Sequence, residues 1–296
     1  MKKFFIFGVP RSGTTWVFKY IFAHYNVKTF SSEEVGFFTK FFGRFGNLQK
    51  LNNRTRLFEA YKSRFIRKII HNDVTNVPTS VTYFDYFDDL IEQIKSDANY
   101  FVDKTPLNIL VADLLLTRYN ADAQSLIVVR NPLDQATSMT YGSVKLGKWM
   151  RILLPFEASR VSYAFELWKK AMLISKNNGI RIFLFEKILI DTNELDEFLQ
   201  SIDLQMKQVP TYHENHLKVN SSFSRQSGER GTPNIIERYP TLTKMVDEEL
   251  LLYARQLGYQ MPVVVKYWPR AFIRMYSRSV LAMRIASMRL YFAIHS

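Results

Sequence analysis

The sequence contains no cysteine. That absence excludes disulfide cross-links, thiolate nucleophiles and cysteine-ligated zinc, and it agrees with a reducing compartment. No run of about 18 apolar residues occurs, so no membrane-spanning helix is expected. The first strand begins at Lys3, which leaves no space for a secretory or transit segment, and a cytoplasmic location is expected. Histidine is scarce, and the pair His213 and His216 has no third ligand nearby, so no metal site is expected. Acidic residues are in deficit: 40 Lys and Arg against 27 Asp and Glu give a formal charge of +13, with no acid after Glu249. Such a surplus implies anionic partners, whether nucleotide, nucleic acid, acidic glycan or lipid headgroup. There are no repeats and no low-complexity linker. With 47% hydrophobic and 23% charged residues, the chain is globular rather than disordered.

What is present is concentrated at the start. Lys3 to Phe7 is a short apolar run that reads as a buried strand, Gly8 to Gly13 as a tight turn, and Thr14 onward as a helix. A strand, a glycine-bounded loop and a helix gather backbone N–H groups around a phosphate. The Gly8 to Gly13 spacing is that of the nucleotide-binding loop G-x-x-x-x-G-K-[ST], with Thr14 in place of its lysine and Arg11 inside the loop.

Further strands are expected at Val27–Phe30, Asn99–Val102, Gln124–Val129 and Ile180–Phe185. Helices are expected at 14–25, 107–119, 133–141, 155–177, 194–201 and 242–257. Alternating strands and helices predict a single α/β domain, an approximately five-stranded parallel sheet flanked by helices and resembling P-loop nucleoside triphosphate hydrolases. The stretch 36–76 is aromatic and basic and reads as an insertion over a site; most Phe and Tyr residues are expected in the core, with those between Phe37 and Phe65 as candidates to line an acceptor groove. Polar residues stand at four strand ends: Arg11 to Thr15, Glu33 and Glu34, Lys104, and Arg130 with Ser138. Carboxyl ends of parallel strands are where α/β proteins place their chemistry.

These segments resemble a known family. Pro10-Arg-Ser-Gly-Thr-Thr-Trp16 is similar to the P-K-S-G-T-T-W loop of sulfotransferases that use 3′-phosphoadenosine-5′-phosphosulfate (PAPS). Arg130-Asn-Pro-Leu-Asp-Gln-Ala-Thr-Ser138 resembles their R-N/D-P-x-D-x-x-x-S motif. Glu34-Val-Gly-Phe-Phe38 and Asp103-Lys-Thr-Pro106 resemble E-V-H-F-F and E-K-T-P of heparan-type glucosaminyl 3-O-sulfotransferases, with Gly36 where those enzymes have histidine. Leu184-Phe-Glu-Lys-Ile188 is similar to the family's Y-E-D-L element. The likeness runs from Lys3 to about Tyr259.

The resemblance implies a PAPS-dependent O-sulfotransferase that releases 3′,5′-adenosine bisphosphate (PAP) and requires no metal. It implies that Ser12, Gly13, Thr14 and Thr15 bind the 5′-phosphosulfate, with Arg11 nearby. Trp16 would stack on adenine, and Arg130 and Ser138 would hold the 3′-phosphate, joined by Arg225 or Arg230 from a degenerate later element. Glu34, or its neighbour Glu33, falls on the catalytic base, and Lys104 on the catalytic lysine. A carbohydrate or glycolipid hydroxyl is the implied acceptor, with a tyrosyl or small-molecule acceptor as the alternative. A nucleotide kinase is disfavoured by Thr14 at the lysine position, and a nucleic-acid binder rests on charge with no recognition motif.

Residues 1–262 then form the sulfotransferase domain and 263–296 a basic amphipathic extension. On a helical wheel Arg270, Arg274, Arg278, Arg284 and Arg289 share a stripe of about 140°, with Phe272, Tyr276, Val280, Met283, Leu290 and Ile294 on another face. Two readings are open: peripheral attachment at the inner membrane surface, or apolar packing on the domain or on a second subunit.

Overall fold

Phe4, Phe5, Ile6 and Phe7 are apolar in succession rather than in alternation, so the strand they form has to be covered on both faces. In the computed structural model all four are fully buried in strand β1 (Lys2–Gly8). The structure describes residues 1–30, 38, 83–94, 97–141, 152–208, 239–262 and 269–295. The other strands are β2 (Val27–Lys28), β3 (Tyr100–Asp103), β4 (Ala123–Val129) and β5 (Ile182–Leu184). They form one five-stranded sheet in the order β2-β3-β1-β4-β5, with every pairing parallel. The expected single α/β domain is the fold found.

Helices cover both faces, as parallel crossovers require. Phe4 and Ile6 pack with Val17 and Ile21 of α1 (Thr14–His24) and with Leu199 of α7 (Asn193–Ser201). Phe5 and Phe7 belong to the larger core on the other face, which contains Leu133 of α4 (Pro132–Tyr141) and Trp168 of α5 (Glu157–Asn178). Gly179, at φ 64°, ends α5 in the left-handed conformation that glycine adopts without Cβ strain. Phe38 lies in this core as well, with its ring centroid 4.8 Å from that of Phe87 and 6.5 Å from that of Phe5. It is therefore a core residue rather than part of an acceptor groove; the rest of 36–76 lies outside the described residues.

Four elements differ from expectation. A helix not anticipated, α2 (Tyr83–Glu92), buries Phe84, Phe87, Leu90 and Ile91. The expected helix 107–119 begins as a 3₁₀ turn (Pro106–Val111) and becomes regular only at α3 (Ala112–Tyr119). β5 stops at Leu184, and Phe185 opens a short helix, α6 (Phe185–Ile190). The expected helix 242–257 is two, α8 (Pro240–Met245) and α9 (Glu248–Gln256), because the Asp247 carboxylate accepts the Leu250 N–H at 2.8 Å and caps a new start.

The last helix, α10 (Arg270–His295), lies across α5 with Ser277, Val280, Leu281 and Met288 buried. Its arginine stripe faces the domain. Arg274 reaches Asp247 at 3.1 Å, and Arg278 reaches Glu166 at 2.9 Å and Glu249 at 2.8 Å. Arg284 donates to the Tyr163 hydroxyl at 3.0 Å, Arg270 to the Val246 carbonyl at 2.9 Å, and Arg289 pairs with Asp113. Phe272, Met275, Met283 and Leu290 point outward, each more than half exposed. Arg274, Arg278 and Arg289 thus pair with carboxylates of the domain, and among the described residues no helix is long and apolar enough to cross a membrane.

Candidate active site

The sheet order places the carboxyl end of β1 between those of β3 and β4, so three loops converge on one spot. The loop after β1 turns tightly, with the Ser12 N–H donating to the Val9 carbonyl at 3.0 Å. Arg11 takes φ 74° and Gly13 φ 94°, two successive excursions into the left-handed region only two residues apart. For Arg11 that conformation costs energy, of a kind that clusters at ligand-binding sites. Gly13 is required twice over, by its φ and by the Phe185 ring, which a Cβ would meet at 2.2 Å. A Cβ on Gly8 would strike Thr14 Cγ2 and the Val128 carbonyl, both at 2.7 Å. Any side chain at Gly8 would therefore push Thr14 out of the loop.

Helix α1 starts on Gly13 without a side-chain cap: the Trp16 and Val17 N–H groups turn back to the Gly13 carbonyl at 2.9 and 3.2 Å, and no cap side chain reaches those of Thr14 and Thr15. Ser12 is fully buried, and its hydroxyl has no partner among the described residues. An orphaned hydroxyl, uncapped N–H groups and a cradle that a methyl would fill together suit an anionic oxygen ligand such as a phosphate. Thr14 is buried and Thr15 exposed, so their hydroxyls serve different surroundings.

From β3 comes Lys104, buried, whose Nζ donates to the Thr15 hydroxyl at 3.1 Å. Its neighbour Asp103 accepts hydrogen bonds from the Thr105 hydroxyl at 2.7 Å and from Asn108 Nδ2 at 3.0 Å. Those two bonds fold the chain into the 3₁₀ turn and leave Lys104 aimed at the loop that follows β1. From β4 comes Arg130, 9% exposed, which pairs with Asp134 at 3.3 Å while its carbonyl accepts the Trp168 indole N–H at 2.9 Å. Burial pushes the Asp134 carboxyl above its ordinary range, against the pull of Arg130.

Helix α4 is tied to the loop twice. Arg11 Nε donates to the Ser138 hydroxyl at 3.1 Å, and Gln135 Nε2 donates to the Pro10 carbonyl at 3.1 Å. Trp16, partly buried, stacks on Tyr20 with centroids 5.4 Å apart and planes at 8°, and meets the edge of Phe185 at 6.3 Å. One face of the indole is therefore already taken by Tyr20.

The expected residues Arg11, Ser12, Gly13, Thr14, Thr15, Trp16, Lys104, Arg130 and Ser138 thus sit on three adjacent strand ends. Direct bonds join Arg11 to Ser138 and Lys104 to Thr15. Glu33, Glu34, Arg225 and Arg230 lie outside the described residues.

Sequence reasoning missed a third tie. The Glu186 carboxylate accepts the Asn131 N–H at 2.8 Å and the Tyr259 hydroxyl at 2.8 Å, holding the Arg130–Asn131 loop from behind. Burial raises the Glu186 carboxyl above its ordinary value, opposed by the Asn131 and Tyr259 hydrogen bonds and by Arg130. The segment 184–188 signalled this element, but nothing local in it indicated that Glu186 would reach Asn131.

A model of the sulfotransferase family matches residues 3–176, more than half of the chain. Three solved structures share the fold at a TM-score of 0.50 and cover 88% of this chain. The sulfotransferase domain of the Synechococcus PCC 7002 olefin synthase is 16% identical over 95% of its length. A sulfotransferase from Alicyclobacillus acidocaldarius is 16% identical over 97% of its length, and the sulfotransferase domain from the curacin biosynthetic pathway 15% over 98%. At these identities the likeness is one of fold. No curated protein matches the sequence significantly.

Proposed function

This chain belongs to the sulfotransferase family, and we propose that it moves a sulfuryl group from PAPS to a hydroxyl of a carbohydrate or glycolipid. The observation that carries the reading is the Lys104 Nζ hydrogen bond to the Thr15 hydroxyl, 3.1 Å long, at the mouth of the phosphate loop. It supports the reading by holding a buried cation beside the loop, where a phosphate leaving group would gain charge. A fixed cation there stabilises the transition state more than the ground state.

When bound, PAPS supplies an activated sulfuryl group on a phosphate leaving group. Ser12 to Thr15 would hold the 5′ end through the α1 N-terminus and the Ser12 hydroxyl, with Arg11 beside them. Arg130 and Ser138 would hold the 3′-phosphate, with Arg225 or Arg230 completing the set, and Trp16 would offer its uncovered face to adenine. Glu34 would take the acceptor hydroxyl's proton as the new O–S bond forms, a contribution of typically 10²–10⁴-fold. Lys104 and Arg11 would meet the charge left on the departing phosphate oxygen. Residues 1–262 constitute this catalytic unit in our reading, and 263–296 an extension of it.

Titration calorimetry with PAP tests the donor site. We expect PAP to bind, ATP to bind more weakly, and Arg130→Ala to lose about 1.5–3 kcal/mol of PAP affinity, a factor of roughly 10 to 150. No binding of PAP by the folded chain would end the proposal. An acceptor screen with labelled PAPS then separates glycan from tyrosyl and small-molecule hydroxyls.

A further inference from the structure

The loop after β1 holds one residue in a conformation that its own chemistry disfavours. Val9 to Ser12 is a four-residue turn, closed by the Ser12 N–H on the Val9 carbonyl at 3.0 Å. Proline at the second position fixes φ there at about −65°, and Arg11 at the third has φ 74°. A negative φ followed by a positive one makes this a type II turn, which asks for glycine at its third position. Asn120 and Asp203 are the other non-glycine residues at positive φ among the described residues. Their short polar side chains tolerate it. Arginine has no such help from its own side chain.

Most residues at that position favour a type I turn, which differs from type II by about a half-turn of the middle peptide. Here that peptide is Pro10–Arg11, and something outside the turn has to hold it. Gln135 of α4 is placed to do so: its Nε2 donates to the Pro10 carbonyl at 3.1 Å. The side chain is completely buried, so water does not compete for the bond. The same amide nitrogen also donates to Met139 Sδ. Turned over, the amide would set Oε1 against the Pro10 carbonyl, acceptor against acceptor, so its orientation follows from its partners. The second tie, Arg11 Nε to the Ser138 hydroxyl at 3.1 Å, is exposed and holds the arginine side chain rather than its peptide.

The peptide bond is trans. With the Pro10 carbonyl turned toward α4, the Arg11 N–H therefore points away from it. A half-turn exchanges the two and sets a carbonyl oxygen where a donor stood. Phosphate-binding loops work through successive backbone N–H groups, and an anion is repelled by a carbonyl. We propose that Gln135 is a positioning residue for the donor site, a role that rests on the PAPS reading of the loop. It latches the Pro10–Arg11 peptide in the orientation that presents the Arg11 N–H to the 5′-phosphosulfate. The R-N/D-P-x-D-x-x-x-S pattern leaves this position open, so the resemblance gives Gln135 no role. Three residues before Ser138, it lets the helix that would hold the 3′-phosphate also set the loop that would hold the 5′ end.

Titration calorimetry on the full chain with PAP and with adenosine 3′-monophosphate, which lacks the 5′ group, tests the latch. Gln135→Leu removes the hydrogen bond and fills much the same space; Gln135→Met serves in its place if that variant does not fold. Without the latch the loop divides between two turns, and apparent affinity falls with the competent fraction. PAP binding should weaken about fivefold to tenfold and adenosine 3′-monophosphate binding by less than about twofold. Loss of packing alone would weaken both ligands alike. A second readout comes from the Arg11→Gly background, which lowers PAP affinity by itself. Glycine takes a positive φ freely, so there Gln135→Leu should cost less than about a further twofold. Equal PAP affinity with and without Gln135, equal losses for the two ligands, or the same Gln135→Leu loss in both backgrounds overturns the latch and leaves the PAPS reading standing. A folded wild type that binds no PAP ends that reading and the latch with it.

Discussion

The seam that fastens α10 to α5 and the loop that follows β1 both bury polar groups, yet they treat them differently. At the seam Lys169 donates to Glu166 at 2.8 Å, to Asp247 at 2.9 Å and to Glu249 at 3.1 Å. Arg274 and Arg278 close the same ring onto those acids, three cations against three carboxylates. At the loop, Ser12 Oγ, Asp134 Oδ1 and Gln135 Oε1 are buried with no partner among the described residues, and Arg11 stands in a strained conformation. A buried polar group without a partner costs about 1–3 kcal/mol, so a fold retains several together only where something outside the chain compensates. The seam is finished by the chain itself. The loop is not finished by the described residues.

The sharpest way to break this comparison is at the seam. Lys169→Met leaves three carboxylates facing one another, two of them buried, and should destabilise the protein by about 3–5 kcal/mol in urea unfolding, while PAP affinity of the folded fraction stays unchanged. A loss of affinity as large as the loss of stability would mean that the two regions are one cooperative unit. The converse change is Ser12→Ala. It removes an orphaned hydroxyl, so stability without ligand should hold or rise by about 1 kcal/mol, while PAP affinity falls roughly fivefold to tenfold. A stability loss without any affinity loss would make Ser12 a structural residue and erase the contrast.

The smallest effect is in pH. Burial would raise the Asp247 carboxyl, but Lys169, the Leu250 N–H and Arg274 bring it net below 3.8. Its stabilisation is therefore present above about pH 4 and is lost as pH falls through the lowered value. Glu186 is shifted the other way, upward from 4.5. The folded state holds its proton more tightly, so stability falls as pH rises through the window above 4.5. Glu186→Gln should flatten the stability profile between that point and neutrality and leave the acid limb in place. An unchanged profile would show that Glu186 is not the group responsible.

The strands were legible because buried parallel strands are continuous apolar runs, and each was recognised within a few residues. Helix ends were less so, because their causes are tertiary. Phe185 leaves β5 to cover Gly13, and Asp247 breaks one helix into two by capping the second. The arginine stripe of α10 was visible in its spacing, but its direction was not, since Asp113, Glu166, Asp247 and Glu249 that receive it lie on three other helices. At the site, local motifs located Arg11 to Trp16, Lys104, Arg130 and Ser138. The Glu186 to Asn131 bond joins residues far apart in sequence and left no local trace.

The register of the sheet also bears on how the molecule comes into being. β1 is made first, yet Lys3 pairs with Phe101 and Ala123. At about 5–20 residues per second, translation reaches β4 roughly 6–24 s after β1. Until β3 is made Phe4 to Phe7 has no strand partner, and until β4 is made it keeps one open edge, an apolar strand of the kind that self-associates. Lys2 and Lys3, directly before it, are charged gatekeepers against such association. In the folded domain the same Lys3 pairs with Asp88 at 2.9 Å.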